Sequence, residues 1–194
     1  MIRVLVVDDH PAVLAGLLVA LRSEPGIVPV AGVASAQEAL SELERGDVDV
    51  ALVDYHLPDD DGLALCQRLK ARDRPPRVLV YSAFAGMGLA VPARVAGADG
   101  LVDKGVATDT LLDAIRSVWR GIDALPPVSA DQLEAATAKL DDEDMPVLAM
   151  LAGGTPRKEI AEVLSMDDSE LEARLGAMLK RLRRRSPNYH AGVH

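Results

Sequence analysis

The sequence predicts a doubly wound α/β domain with a five-stranded parallel sheet, followed by a small all-helical domain. Five short apolar runs alternate with helix-like segments over residues 1–121, an order typical of a parallel sheet covered by helices. The runs are largely apolar and lack the alternation of a strand with one solvated face. From residue 129 onward the patterns are helix-like. Ligands of such sheets bind at the carboxyl ends of the strands, so functional residues are expected there.

The elements of the first domain follow from these runs. The predicted strands are Ile2–Val7, Ile27–Val33, Val48–Val53, Val78–Tyr81 and Gly100–Val102. The predicted helices are Pro11–Arg22, Ala36–Arg45, Gly62–Arg72, Pro92–Ala98 and Thr108–Arg120. Pro29 cannot donate a ladder hydrogen bond, so the second strand is predicted at a sheet edge. Gly88 and Pro92 disfavour a helix interior, so the fourth helix is predicted to be short and to start near Val91.

A pair of prolines, Pro126 and Pro127, marks the junction between the domains. Consecutive prolines stop a helix and stiffen a connection, so residues 122–128 are predicted to form a linker. This linker separates a first domain, residues 1–121, from a second domain, residues 129–194.

Four helices are predicted in the second domain. Ser129 and Gln132 match a capping box that opens the first of them. The three later helices are predicted at residues 143–152, 156–164 and 168–184. Thr155 is expected to cap the third helix, with Pro156 at its first position.

The composition narrows the class of protein. Of 194 residues 49% are apolar but only 3% aromatic, so the cores are expected to be aliphatic. No apolar run is long enough to span a bilayer, the first residues lack a secretory pattern, and the single cysteine, Cys66, excludes an internal disulfide framework. We therefore expect a cytoplasmic protein without membrane contact. The net charge is −9 and acidic residues outnumber basic ones in both domains, which disfavours nucleic-acid binding.

Acidic residues follow two strands that are neighbours in the predicted sheet. Asp8 and Asp9 come directly after the first strand, and Asp54 follows the third. Three carboxylates held close together repel one another, and a hard divalent cation relieves that repulsion. Mg²⁺ fits because it needs few carboxylates and keeps waters that an incoming phosphate can displace.

Two further residues at strand ends complete a recognisable set of groups. Ser82 at the end of the fourth strand offers a hydroxyl, and Lys104 after the fifth offers a cation. A nucleophilic carboxylate, a metal and a lysine are the components of aspartyl-phosphate chemistry. The alternative is that these residues belong to solvated loops. That alternative would be preferred for a single Asp-Asp pair, but not for four strand ends with these residue types.

The segments around these residues resemble the receiver domains of NarL/FixJ-class response regulators. The matching motifs are Val-Asp-Asp-His-Pro at 7–11, Val-Asp-Tyr-His-Leu-Pro-Asp-Asp-Asp-Gly at 53–62, Tyr-Ser-Ala at 81–83 and Gly-Ala-Asp-Gly-Leu-Val-Asp-Lys at 97–104. The resemblance covers residues 2–121 and implies a flavodoxin-like receiver fold.

The resemblance also implies roles for individual residues. They are Asp54 as phosphoacceptor, Asp8, Asp9, Asp54 and the backbone carbonyl of His56 as Mg²⁺ ligands, Ser82 as switch hydroxyl and Lys104 as phosphate-binding cation. One position departs from the family, because Leu101 stands where an aromatic residue usually swings inward on activation. We therefore expect the coupling from phosphorylation to activation to be weaker or different.

Residues 140–182 resemble the helix-turn-helix of LuxR/GerE-type output domains, chiefly over 147–154 and 158–164. The resemblance is imperfect. Glu172 stands where the family's recognition helix commonly carries a lysine, and Pro146 delays the start of the first helix of the motif. We also expect the family's last, dimer-forming helix to be lacking.

Basic residues in and after the last predicted helix are the candidate DNA contacts. They are Arg174, Lys180, Arg181, Arg183, Arg184 and Arg185. Such residues can contact the phosphate backbone. Equally, basic residues near a helix carboxyl end can interact with the helix dipole and remain solvated.

Two functions follow. The first is a two-component response regulator that accepts phosphate on Asp54 and regulates transcription through DNA. The alternative is a phosphorylation-controlled adaptor whose output domain binds protein. A stand-alone phosphohydrolase is disfavoured, since an Asp-x-Asp motif is absent at Asp54, so we expect only slow self-dephosphorylation and no enzyme activity. The expected partners are a sensor histidine kinase or small phosphodonor, DNA or a protein, and a second copy of the chain.

Overall fold

The computed structural model describes residues 1–83, 85 and 88–183. Arg184 and Arg185, two of the predicted DNA contacts, lie outside the described residues. The chain divides into two compact units, Met1–Pro126 and Pro127–His194.

In the first unit, the described residues form a five-stranded parallel sheet with the order β2-β1-β3-β4-β5. The strands are β1 (Ile2–Val7), β2 (Ile27–Val33), β3 (Val50–Asp54), β4 (Arg77–Ser82) and β5 (Gly100–Asp103). The predicted doubly wound sheet and the edge position of β2 are confirmed. Pro29 of β2 pairs with Val4 where the register with β1 shifts, so the missing N–H falls at an irregularity of the ladder.

Five described helices follow the strands of this unit. They are α1 (Pro11–Ser23), α2 (Ala36–Arg45), α3 (Gly62–Lys70), α4 (Ala90–Ala96) and α5 (Thr108–Trp119). Side chains cap two of them, because Ser35 accepts the N–H of Glu38 and Asp61 accepts the N–H of Ala64. The predicted short fourth helix is confirmed.

The core of this unit is aliphatic, as the composition predicts. Every residue of β3 is buried, and Leu52 of β3 and Leu79 of β4 belong to one apolar cluster with Ile115 of α5. Burying one such side chain contributes about 1.5–3 kcal/mol. The sheet therefore provides a rigid support for the residues at its carboxyl edge.

The residues after α5 are hydrogen-bonded to the first unit. The N–H of Ala124 donates to Asp99 and its carbonyl accepts from Leu101, beside β5. Arg94 of α4 contacts Asp123 at 3.0 Å and donates to the carbonyl of Pro126. Residues 122–126, predicted as linker, thus lie within the first unit, and the boundary falls between the two prolines.

The second unit is helical over its described residues. It contains α6 (Ala130–Thr137), a 3₁₀ turn (Asp142–Asp144), α7 (Met145–Ala152), α8 (Arg157–Leu164) and α9 (Asp168–Arg183). The capping box of Ser129 and Gln132 is present. Pro146 lies in the first turn of α7, where its missing N–H costs nothing.

One predicted cap is wrong. The residue that precedes α8 is Pro156, in extended conformation, and no side chain caps this helix. Pro156 therefore takes the cap position rather than the first helical one, and Thr155 lies one residue too early. The apolar stripe of α9 packs inward as predicted; its buried members are Leu171, Leu175, Met178, Leu179 and Leu182.

No helix within residues 1–83 and 88–183 is both long and apolar enough to cross a membrane.

Candidate phosphoacceptor site

Two buried carboxylates lie side by side at the carboxyl edge of the sheet. Val7 of β1 pairs with Val53 of β3, so the next residues, Asp8 and Asp54, come together. Their exposed fractions are 1% and 3%. Asp9 is more accessible at the same edge, with 35% of its side chain exposed. Burial of charged carboxylates is unfavourable unless a cation or hydrogen-bond donors compensate it.

Lys104, which follows β5, supplies that compensation. Its Nζ lies 2.7 Å from Oδ2 of Asp8 and 2.7 Å from Oδ2 of Asp54. Partial burial lowers the pKa of Lys104, but its hydrogen bonds to Asp54 and Asp8 outweigh this, so the pKa lies above its ordinary value. The lysine therefore remains charged at neutral pH and bridges both carboxylates.

Gly62, the first residue of α3, allows the backbone to approach the phosphoacceptor candidate closely. A Cβ at this position would lie 2.1 Å from the carbonyl oxygen of Asp54. The N–H of Gly62 donates to the carbonyl of Tyr55, which ties α3 to the end of β3. The glycine in the sequence motif thus has a steric role.

The loop between β3 and α3 is anchored by a residue that sequence reasoning missed. Both carboxylate oxygens of Asp59 accept backbone N–H groups at the start of α2, from Ala36 and Gln37, at 2.9 Å. Desolvation raises the pKa of Asp59, but these hydrogen bonds outweigh it, so its pKa is lowered. The run of three acidic residues before Gly62 was the available signal.

His10 is a second residue of the site that sequence reasoning missed. Its Nδ1 lies 2.7 Å from Oδ1 of Asp9, 3.2 Å from Oδ1 of Asp8 and 3.9 Å from Oδ2 of Asp54. Its backbone N–H also donates to Asp8. The signal was its position directly after the two aspartates.

These groups fit a divalent cation. One ligand atom from each of Asp8, Asp9, His10 and Asp54 can be chosen so that all lie within 4.8 Å of one another. Carboxylate oxygens are the ligands that Mg²⁺ prefers. The backbone of His56 lies beside the same group, because its N–H is 3.3 Å from Oδ1 of Asp54.

The predicted switch hydroxyl, Ser82, lies on β4, and Leu101, which departs from the family's aromatic residue, lies on β5. Ser82 is fully buried, and its carbonyl accepts the backbone N–H of Lys104. Leu101 is buried, with 7% exposed. Tyr81 contacts Lys104, since its hydroxyl donates to the carbonyl of Lys104 and Nζ lies 5.5 Å from the ring centroid.

The described DNA-contact candidates all lie on α9 of the second unit. Arg181 lies 2.7 Å from Asp144 and 2.6 Å from Asp141. Arg174 donates to the backbone carbonyl of Glu143 and lies 3.5 Å from its carboxylate. Lys180 is exposed and Arg183 half-buried in the last turn. Two of the four described candidates are therefore engaged by acidic residues of the 3₁₀ turn.

Glu172, at the position where a lysine was expected, also has a partner. It lies 2.5 Å from Arg157 at the start of α8. Sequence reasoning did not single out Arg157, which is distant in the chain and has no motif of its own.

Comparison with known proteins agrees with this geometry. Residues 4–116 match the family model of the response regulator receiver domain. The chain is 33% identical over 172 residues to the transcriptional activator protein ExaE of Pseudomonas putida, covering 83% of this chain and 80% of that protein. It is 29% identical to the DNA-binding transcriptional activator DevR/DosR of Mycobacterium tuberculosis, over 94% of this chain and 88% of that protein.

The solved structures agree as well. A two-component response regulator of the LuxR family from Aurantimonas sp. SI85-9A1 matches with a TM-score of 0.61 and 29% identity, over 70% of this chain and 97% of that one. The parallel sheet with an acidic edge and a bridging lysine defines a receiver domain. The chain belongs to the response regulator family, and its relatives are of the NarL/LuxR type.

Proposed function

We propose that Asp54 accepts a phosphoryl group and that its phosphorylation controls the output unit. The observation that carries this proposal is the contact of one lysine with two buried carboxylates, both at 2.7 Å. A buried carboxylate at the end of a central strand, beside a cation and a further acidic pair, is arranged as a nucleophile rather than as a surface charge.

In the reaction, a carboxylate oxygen of Asp54 forms a bond to phosphorus while the bond from phosphorus to the leaving group breaks. With a phosphohistidine donor the leaving group is the imidazole; with acetyl phosphate it is acetate. Lys104 then neutralises a phosphoryl oxygen instead of the free carboxylate, so its positive charge is retained.

Asp8, Asp9 and Asp54, with the carbonyl of His56, are the residues that would hold Mg²⁺. The ion supplies positive charge that offsets the phosphoryl oxygens. The chain itself brings the carboxylates together and buries two of them, so that their negative charge exceeds the single positive charge of Lys104. Ser82 is the hydroxyl that responds to the phosphoryl group.

The test is incubation of the full chain with acetyl phosphate and Mg²⁺, followed by intact-mass measurement. The expected result is an added phosphoryl mass in the native chain and none in Asp54→Asn. Asp73→Asn, which removes an exposed carboxylate of the same unit, is the matched control and should be phosphorylated normally. Absence of the adduct in the native chain would contradict the proposal.

The output unit, residues 129–194 by the proposed division, regulates transcription through its helix-turn-helix. This is supported by relatives named as transcriptional activators. The candidate phosphate contacts are Arg174, Lys180, Arg181, Arg183, Arg184 and Arg185. Lys180 is exposed in the last turn of α9, so it carries the prediction: Lys180→Glu should weaken binding to duplex DNA.

A second candidate function, a protein-binding adaptor, is favoured by one observation. Arg174 and Arg181 are engaged by carboxylates of their own unit, which leaves fewer cations for DNA. A polarisation titration with labelled genomic DNA at low salt separates the two functions, because an adaptor would not bind. The proposed location is the cytoplasm, and the proposed phosphodonor is a sensor histidine kinase or a small phosphorylated molecule.

A further inference from the structure

Carboxylates of the second unit occupy two arginines of the helix-turn-helix. Arg157, the first residue of α8, contacts Glu172 of α9 at 2.5 Å. Arg174 of α9 donates to the backbone carbonyl of Glu143 in the 3₁₀ turn, and its guanidinium lies 3.5 Å from the carboxylate of the same residue. Each contact joins two different elements of the unit, so the pairs form only in the folded domain.

The surroundings of the pairs strengthen them. The side chains of Arg157 and Glu172 are only 22% and 32% exposed, and that of Arg174 is 29% exposed. Water therefore screens these charges less than at a fully open surface. Glu143 is different, since 84% of its side chain is exposed and its removal should disturb the fold little.

A third pair, between Arg181 and Asp144, has a structural role instead. Asp144 is 4% exposed, and its carboxylate also accepts the N–H of Asp141. Removing Arg181 would leave the buried charge of Asp144 without its cation. Arg181 is therefore held in place and does not enter the following proposal.

Carboxylate and phosphate compete for the same guanidinium groups. Both anions accept two parallel hydrogen bonds from an arginine. A guanidinium already bonded to a carboxylate must lose that bond before it contacts DNA, and the carboxylate left behind repels the phosphate. A carboxylate in the same domain is always present at the site, unlike DNA.

We propose that Glu172 and Glu143 act as built-in competitors for DNA phosphates, holding Arg157 and Arg174 and so lowering the affinity of the output unit for DNA. This inference rests on the proposed DNA-binding function. By this proposal Arg157 is a DNA contact that is suppressed in the native chain. The carboxylates of Glu172 and Glu143 then control the affinity of the output unit for DNA.

The experiment uses the full chain and a fluorescently labelled, mixed-sequence DNA duplex, titrated by polarisation at several salt concentrations. The double variant Glu143→Gln/Glu172→Gln keeps side-chain size and removes both charges. We expect it to bind about 5-fold more tightly than the native chain at low salt. The slope of log affinity against log salt should steepen by about 1 for each arginine that gains a phosphate contact.

The matched control is Asp131→Asn/Glu134→Gln, which makes the same change in net charge at exposed positions of α6. It should leave the salt slope unchanged. Equal tightening in both double variants would mean that only net charge matters, and the proposal would be overturned. Adding Arg157→Gln to Glu172→Gln should remove the gain; a gain that persists would also overturn it.

The single variant Glu143→Gln covers the case in which loss of Glu172 unfolds the domain. It should shift the slope in the same direction by about 1. If the native chain binds DNA and neither variant binds more tightly, only the competitor proposal fails. If neither the native chain nor any variant binds DNA, the DNA-binding function fails and the competitor proposal with it.

Discussion

The pocket at the sheet edge and the arginine pairs of the second unit use the same kinds of charged groups in different proportions. In the pocket, Lys104 contacts the carboxylates of both Asp8 and Asp54, and Asp9 adds a third carboxylate. On α8 and α9, Arg157 and Arg174 each contact a carboxylate of the same unit. The first arrangement has excess negative charge, whereas the second is locally balanced.

This difference distinguishes a site suited to a further cation from contacts that are complete within the fold. Excess buried charge is costly, and it persists where a ligand such as a cation compensates it in use. In a balanced pair both charges are already compensated, so the pair neither needs a ligand nor favours its binding. The pocket should therefore respond strongly to Mg²⁺, and the pairs should not.

The largest effect is expected at Gly62, because the pocket depends on a close approach of two backbone segments that the second unit does not require. Gly62→Ala would place Cβ 2.1 Å from the carbonyl of Asp54, and the forced shift should cost about 3 kcal/mol and abolish phosphorylation. Gly153→Ala in the second unit is the control, because its Cβ would make ordinary contacts at 3.5 Å. Urea unfolding and acetyl phosphate labelling provide the readouts. Normal labelling of Gly62→Ala would show that the close approach is dispensable.

The next effect tests the excess charge directly. Lys104→Met leaves two buried carboxylates without their shared cation, and should destabilise the first unit by about 2 kcal/mol without Mg²⁺, less than for a fully buried pair. Mg²⁺ should recover much of this loss in urea unfolding.

Lys70→Met is the control for Lys104→Met. Lys70 is about as buried as Lys104 and pairs with Asp99 at 2.8 Å away from the pocket, where Arg77 also contacts Asp99 at 2.9 Å. Its loss should not be recovered by Mg²⁺. Equal metal dependence in both variants would contradict the distinction between the pocket and an ordinary ion pair.

A smaller effect is expected when the contact between Arg181 and Asp144 in the second unit is opened. Asp144→Asn removes the buried charge opposite Arg181 but keeps an acceptor oxygen, and should destabilise this unit by about 1–2 kcal/mol, with or without Mg²⁺. Hydrogen exchange of α9 reports the change. If Glu143→Gln, at an 84% exposed position, has the same effect, burial of the pair is not what matters.

The smallest effect concerns the ion pair between Arg3 and Asp49, near the amino ends of β1 and β3. The hydrogen bond from Arg3 holds the pKa of Asp49 below its ordinary value. The stability from this contact is therefore complete above the unfolded pKa of about 3.9 and is lost as pH falls through the lower folded value. Asp49→Asn should flatten the acid limb of a stability-against-pH curve. An unchanged limb would mean that other carboxylates control acid unfolding.

The sheet and most of its pocket could be predicted because their signals are local. The apolar runs define the strands, and Pro29 alone places β2 at an edge. Once β1 and β3 are neighbours, the positions of Asp8 and Asp54 follow from parallel pairing. His10 and Asp59 were not predicted, because residue type and spacing do not show which backbone group or carboxylate a polar side chain will contact.

The sequence by itself determined the order of the elements, the capping box at Ser129 and the grouping of carboxylates at the carboxyl ends of β1 and β3. Only the tertiary structure decided that Lys104 bridges two of them and that Arg157 meets Glu172. The reason is physical: periodicity and strand ends depend on neighbouring residues, whereas an ion pair depends on which elements pack together and how far a long side chain reaches.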